Sequence, residues 1–142
     1  MRTLSKIIIH CTLTPENQEV SVKEIDTWHK KKGFYGIGYH YVIGLKGEIL
    51  IGRDLQLPGA HCLGQNAYSI GICYVGGLSK DGKKYKDTRT EAQKETLKKL
   101  IEGLMVPYPH LTVHGHNEFE KTPCPCFKVK KEFKAKNIKP VV

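Results

Sequence analysis

The chain has 142 residues, of which 39% are hydrophobic and 26% charged, a size and balance that suit one domain with a sizeable core. No run approaches the ~18 apolar residues of a membrane span. The opening MRTLSKIIIHCT has no small-residue cleavage site, so neither membrane insertion nor a secretory leader is expected. Lysine and arginine number 23 against 14 acidic residues, a net charge of +9. That excess favours encounters with polyanions, which include nucleic acid, anionic lipid and the phosphate-bearing polymers of a bacterial envelope.

Lys6 to Cys11 (KIIIHC) reads as a buried strand, short and β-branched. Ser21 with Glu24 forms a capping box that opens a helix ended by Gly33, with Val22, Ile25, Trp28 and His29 as its packing face. Tyr39 to Gly44 and Glu48 to Gly52 are expected to form a hairpin across a Lys-Gly turn. Ser69 to Val75 is a further buried strand, followed by a polar, lysine-rich loop whose length marks it as functional or mobile. Thr90 and Gln93 cap a second helix, whose Leu97, Leu100, Ile101, Leu104 and Met105 face a core and which Pro107 and Pro109 stop. Leu111 to His114 reads as a strand, and Phe127 to Lys136 as a strongly basic last helix before a short tail. Strands and helices alternate, so the fold class is α/β: one domain over residues 1–142, a central mixed β-sheet flanked by helices.

Five cysteines at 11, 62, 73, 124 and 126 form no regular framework, and with no export signal a disulfide scaffold is not expected. Cys11 and Cys73 sit in apolar runs and read as inert buried thiols. Seven histidines raise the question of a metal. His114 and His116 project to one face of an extended backbone, and Cys124 follows His116 by eight residues. Two zinc sites can be built. His10, His116 and Cys124 would leave a fourth position open, as a catalytic zinc requires; His114, His116, Cys124 and Cys126 would make a closed structural site. Spacing alone leaves both open, beside the reading with no metal.

The blocks IIIHCT, GYHYVI, GRD, GAHCLGQN, NAYSIGICYVGG and GHNE…CPCF, in this order from Lys6 to about Phe133, resemble the zinc-dependent N-acetylmuramoyl-L-alanine amidases, a family that includes phage amidase-type lysozymes and peptidoglycan recognition proteins. The resemblance implies one Zn²⁺ at the floor of a surface groove, held by His10, His116 and Cys124, with His114 left out. It implies that Tyr39 of the GYHY block acts beside the metal. Many phage members carry a lysine two residues before the cysteine ligand; here Thr122 stands there and Lys121 precedes it. Thr122 is therefore expected to offer a hydrogen bond, not a full charge, to a tetrahedral intermediate, with Lys121 in support if the loop turns it inward. His61 and Asn66 are expected to line the groove, and Arg53 to meet the substrate or pair with Asp54. His40 is expected to be structural.

The implied activity is hydrolysis of the amide between N-acetylmuramic acid and L-alanine in peptidoglycan by a zinc-activated water, in phage or prophage lysis. The chain would be a monomer, cytoplasmic until released or delivered to the wall. One alternative is a binding module for muramyl peptides, which Cys124 argues against. The other is a regulator that binds nucleic acid or a polymerase; arginine, found only at Arg2, Arg53 and Arg89, is scarce for a nucleic-acid surface.

Overall fold

The computed structural model describes residues 2–134. Its main sheet has five strands in the order β4-β3-β5-β1-β7. Here β1 is Lys6–Cys11, β3 is Tyr41–Ile43, β4 is Ile49–Ile51, β5 is Ser69–Tyr74 and β7 is Thr112–Gly115. β1 runs parallel to β5 and β7, and β3 parallel to β5; only β4 is antiparallel. The sheet is mixed, as the sequence pattern requires. β1 and β5 read as continuous apolar runs because both of their faces are covered: Ile7, Ile8, Ile9, Ile70 and Ile72 are fully buried. Each such side chain contributes roughly 1.5–3 kcal/mol of burial.

Helices α1 (Val22–Lys31) and α2 (Glu91–Leu104) start where expected, each with a reciprocal capping box, at Ser21/Glu24 and Thr90/Gln93. Leu97, Ile101 and Leu104 bury against the sheet, with Leu100 and Met105 packed at the edge of the same cluster. α1 departs from its expected face. Ile25 and His29 are buried, whereas Trp28 stays 37% exposed and lines a cavity. The hairpin strands are shorter than expected. Tyr39 and His40 precede β3, and the backbone there turns to bond outward, with Arg53 N–H donating to Tyr39 O and His40 N–H to Gly71 O.

The lysine-rich segment after β5 is pinned at its base. β6 (Gly77–Leu78) pairs with β2 (Thr14–Pro15), and Gly77 N–H donates to Thr88 Oγ1. Arg89 closes it, donating to Asp87 through Nε and Nη2 at 2.9 Å and to Glu132 through Nη1 and Nη2 at 2.7 Å, with its guanidinium 3.4 Å over the Phe127 ring. Glu132 ends α3, which covers only Val129–Glu132, less than the expected helix; at Phe133 the backbone leaves helical geometry, and residues 135–136 lie outside the described range.

Burial raises the Asp87 pKa, but the hydrogen bonds and charge of Arg89 outweigh it and hold it below the usual 3.8. A depressed folded-state pKa contributes stability that is complete above the unfolded value and is lost as pH falls through the folded one. The Asp87→Asn variant is therefore expected to unfold at a lower denaturant midpoint at neutral pH, with the gap to wild type closing below about pH 4. A gap that stays constant into acid would remove Asp87 from this account.

Candidate active site

Register places the two histidines. β1 and β7 are adjacent parallel strands with Ile9 opposite Gly115, so His10 and His116 leave neighbouring strand ends on the same edge of the sheet. Their ring centroids stand 4.5 Å apart. The chain then turns through a one-turn 3-10 helix (His116–Glu118) and returns to β1, where Cys124 Sγ accepts the Cys11 N–H at 3.2 Å. A donor atom from each of His10, His116 and Cys124 lies within 4.8 Å of the other two. His10 and Cys124 are buried, His116 half-buried.

The alternative closed set is not assembled. Cys126 turns away, its Sγ 3.9 Å from Cys11 Sγ and donating to Gly77 O at 3.3 Å. His114 is satisfied elsewhere, Nδ1 against Glu118 at 3.0 Å and Nε2 against Thr112 Oγ1 at 2.7 Å.

The converging side chains suit a metal. His116 Nε2 pairs with the Glu120 carboxylate, while its Nδ1 is buried with no hydrogen-bond partner among the described residues. A buried polar atom without a partner is costly unless something binds it. His10 Nε2 lies 2.8 Å from His61 Nδ1, and His61 Nε2 is 3.2 Å from Ser69 Oγ. With both Nε2 atoms engaged, Nδ1 of each histidine is the atom left for an ion, and the outer partners fix the rings as second-shell groups do around zinc. Burial, then the neighbouring His61, His116 and His29 rings, hold the His10 pKa well below that of free imidazole. Burial chiefly, with His40 and His116, brings His61 down to about 3. Both rings are thus neutral, the form a metal ligand needs.

Gly71 makes room for this shell. A Cβ at Gly71 would stand 2.7 Å from His61 Cδ2, so only glycine lets the ring lie flat on β5. Asn66 Oδ1 holds the same loop from outside, accepting the N–H of His61 at 2.9 Å and of Cys62 at 3.1 Å.

Tyr39 sits beside the three donors, its ring centroid 5.0 Å from His10. Burial, then the thiols of Cys73, Cys124 and Cys11, push its pKa well above the usual tyrosine value, so the phenol keeps its proton. α1 positions it. Asp26 Oδ1 accepts Ile37 N–H at 2.7 Å, His29 Nδ1 accepts Gly38 N–H at 2.8 Å, and the His29 ring meets Tyr39 edge to face at 5.1 Å. Arg53 works on the same backbone: its guanidinium donates to the carbonyls of Ile37 and Pro58 at 3.0 Å, and Asp54 instead accepts the Gln56 N–H. His40 is structural, accepting Gly71 N–H at 3.0 Å with Nε2 set against Leu57 O.

The centre opens into a groove of two adjoining cavities, about 200 and 320 Å³, that share His29, Lys32, Tyr39 and His116. Thr122 and Trp28 line the smaller, His61 and Asn66 the larger. Thr122 Oγ1 accepts the Cys124 N–H at 3.3 Å, which leaves its own O–H to donate. Lys121 is exposed and lines neither cavity.

Residues 1–127 match the family described as N-acetylmuramoyl-L-alanine amidase. The chain belongs to this family. The amidase is 38% identical to the endolysin of Escherichia phage T7 over 125 residues, 88% of this chain and 82% of that one. It is 35% identical to the endolysin of Klebsiella phage KP32, over 89% of this chain and 83% of the relative. Among solved structures, the N-acetylmuramoyl-L-alanine amidase LysC from Clostridium intestinale URNW superposes with a TM-score of 0.80 at 30% identity, covering 97% of this chain and 88% of that one. Drosophila PGRP-LB shares the fold at a TM-score of 0.79 and 21% identity, covering 100% and 86%. The amidase hydrolyses the amide between N-acetylmuramic acid and L-alanine in peptidoglycan. Its family is typically zinc-dependent, and a His/His/Cys group stands at the groove floor.

Three contributors escaped the sequence reading. Glu120 lies four residues after His116, a spacing that could have flagged a carboxylate–histidine pair. His29 and Lys32 carry no local signal: one reads as helix packing and the other as one more lysine.

Proposed function

We propose that this amidase acts through one Zn²⁺ held by His10, His116 and Cys124, and that it serves release of phage or prophage progeny by opening the host wall. The observation that carries the zinc reading is the partnerless, buried Nδ1 of His116, a residue grouped with His10 and Cys124, while Glu120 holds the other ring nitrogen. Zinc, when bound in a site with a vacant fourth position, lowers the pKa of a water to about 7 and polarises a carbonyl.

The chain's own residues do the rest. Cys124 supplies the anionic ligand, its sulfur steadied by the Cys11 N–H. Tyr39 donates its O–H to the oxygen that becomes negative as the lactyl carbonyl is attacked, and Thr122, which lines the same cavity, donates as well. The alanine nitrogen takes up, as it leaves, the proton that the attacking water gives up, and the phenol keeps its own. His61 positions His10, Asn66 positions His61, and Arg53 holds the loop that carries Tyr39 without touching substrate. Lys32 offers a cation to stem-peptide carboxylates in either half of the groove, and Lys121 acts at most at its exterior. The partner is peptidoglycan, and the amidase works on it as a monomer. Nucleic acid is not a partner on this reading.

Replacing His61 by leucine is expected to weaken zinc binding by about 10- to 100-fold, as loss of an outer-shell partner does, with the fold kept. Competition against a zinc chelator measures it; unchanged affinity would make His61 a groove residue only. The reaction itself is tested on purified sacculi. Zinc-loaded protein is expected to release peptides with a free L-alanine amino terminus, and new reducing sugar ends or cut cross-links would contradict the proposal.

A further inference from the structure

A second set of donors converges on His116. Cys62 Sγ, a His116 ring nitrogen and a Glu120 carboxylate oxygen all lie within 4.8 Å of one another. All three residues line the larger cavity. The loop bearing Cys62 is fixed by Asn66, and Glu120 is tied to it by the Leu63 N–H at 3.4 Å as well as to His116 Nε2. Cys62 is a free thiol and takes no part in the hydrolytic centre.

We propose that Cys62, His116 Nε2 and Glu120 form a second metal site, taking a thiophilic divalent cation of the zinc or cadmium class. The donor set decides the class. Sulfur, imidazole and a single carboxylate suit zinc-like ions, whereas magnesium and calcium require oxygen cages. Tetrahedral ligands around one zinc stand about 3.3–3.8 Å apart, so the Cys62 sulfur has up to roughly 1 Å to close, while Glu120, already hydrogen-bonded to His116 Nε2, swings outward to make room for the ion. Two of them sit on short turns and the third is a glutamate side chain, so such closure needs no movement of the sheet.

The imidazole of His116 has two nitrogens on opposite edges. Nε2 meets Glu120, and Nδ1 is the nitrogen without a hydrogen-bond partner, left for the ion shared with His10 and Cys124. An ion on Nε2 displaces the proton on that nitrogen and the proton of the Cys62 thiol, so binding at neutral pH releases both to solvent. It also converts Glu120 from a hydrogen-bond acceptor for His116 into a ligand, and it places a cation in the wall of the groove beside the reacting centre. Excess zinc is therefore an inhibitor acting through this site, and a second equivalent is bound more weakly than the first.

The test counts metal independently of turnover. Wild type, Cys62→Ala and Cys124→Ala are dialysed to equilibrium against cadmium, and bound metal and sulfur-to-cadmium absorption are read. Wild type is expected to bind two equivalents. Cys62→Ala should keep the first and bind the second about 10-fold or more weakly. Cys124→Ala should lose the first and keep the Cys62-dependent one. Circular dichroism checks the fold, and Cys62→Ser, whose hydroxyl is a poor ligand for cadmium, serves if the alanine variant is misfolded. One equivalent in wild type, or two in both Cys62 variants, overturns the second site. Equal uptake by Cys124→Ala and wild type counts instead against the hydrolytic zinc centre, so the two failures are distinct.

Discussion

Cys124→Ser is expected to abolish zinc-dependent hydrolysis of sacculi while leaving the fold in place. Serine preserves an acceptor for the Cys11 N–H that Cys124 Sγ takes at 3.2 Å, so the loop after His116 keeps its anchor to β1. What is lost is the soft anionic ligand. Zinc supplies several kcal/mol of charge stabilisation in the transition state, and each 1.36 kcal/mol is tenfold in rate, so the loss should be about 10³-fold or more. Thermal unfolding gives a second readout. Zinc binding to the native state should raise the wild-type melting temperature as the logarithm of its concentration, and the variant should show a rise only at the higher concentrations that fill a weaker site. A variant that retains wild-type turnover would remove Cys124 from the centre.

Tyr39→Phe should separate rate from binding. The ring packs 5.0 Å from His10 and 5.1 Å from His29, and phenylalanine keeps both contacts. Only the O–H disappears. Removal of one preorganised donor from an oxyanion site costs about 10²–10³ in kcat. Zinc content and KM should stay near wild type, because the hydroxyl's work is confined to the transition state. A fall in zinc content instead would make Tyr39 a structural support of His10, and an unchanged kcat would leave Thr122 as the oxyanion donor. The burial of the phenol matters here. A fixed dipole costs no reorganisation as charge develops, and the raised pKa of Tyr39 keeps its proton available.

Much of this architecture was legible because local signals agreed with the fold. The reciprocal caps at Ser21/Glu24 and Thr90/Gln93 and the apolar runs of β1 and β5 each specify an element without help from distant residues. The donor set is different in kind. His10 and His116 meet because Ile9 pairs with Gly115 across β1 and β7, a register that no local pattern contains. Only the family blocks pointed to it, and spacing alone left the closed alternative standing. The structure shows why that alternative fails: His114 is taken by Thr112 and Glu118, and Cys126 by Cys11 and Gly77.

The misreadings share a cause. Trp28 lies on the helical stripe of Ile25 and His29, yet at its place on α1 the groove takes the position that core would have filled. Arg53, in the GRD block, was expected to meet the substrate or pair with Asp54. Its donors are instead taken by the carbonyls of Ile37 and Pro58, which cap loops with no ladder of their own. The last helix was read from a run of basic residues, but lysine charge does not bury a face. Only Val129 of α3 is buried, together with Phe133 just beyond it, and the helix ends once these two have been placed against the core.

The most direct test of the whole account is X-ray absorption at the zinc edge on protein loaded with one equivalent. The expected first shell is one sulfur at about 2.3 Å and two imidazole nitrogens near 2.0 Å, completed by a single light atom from solvent. A shell with two sulfurs, or with a third imidazole in the remaining position, would contradict it.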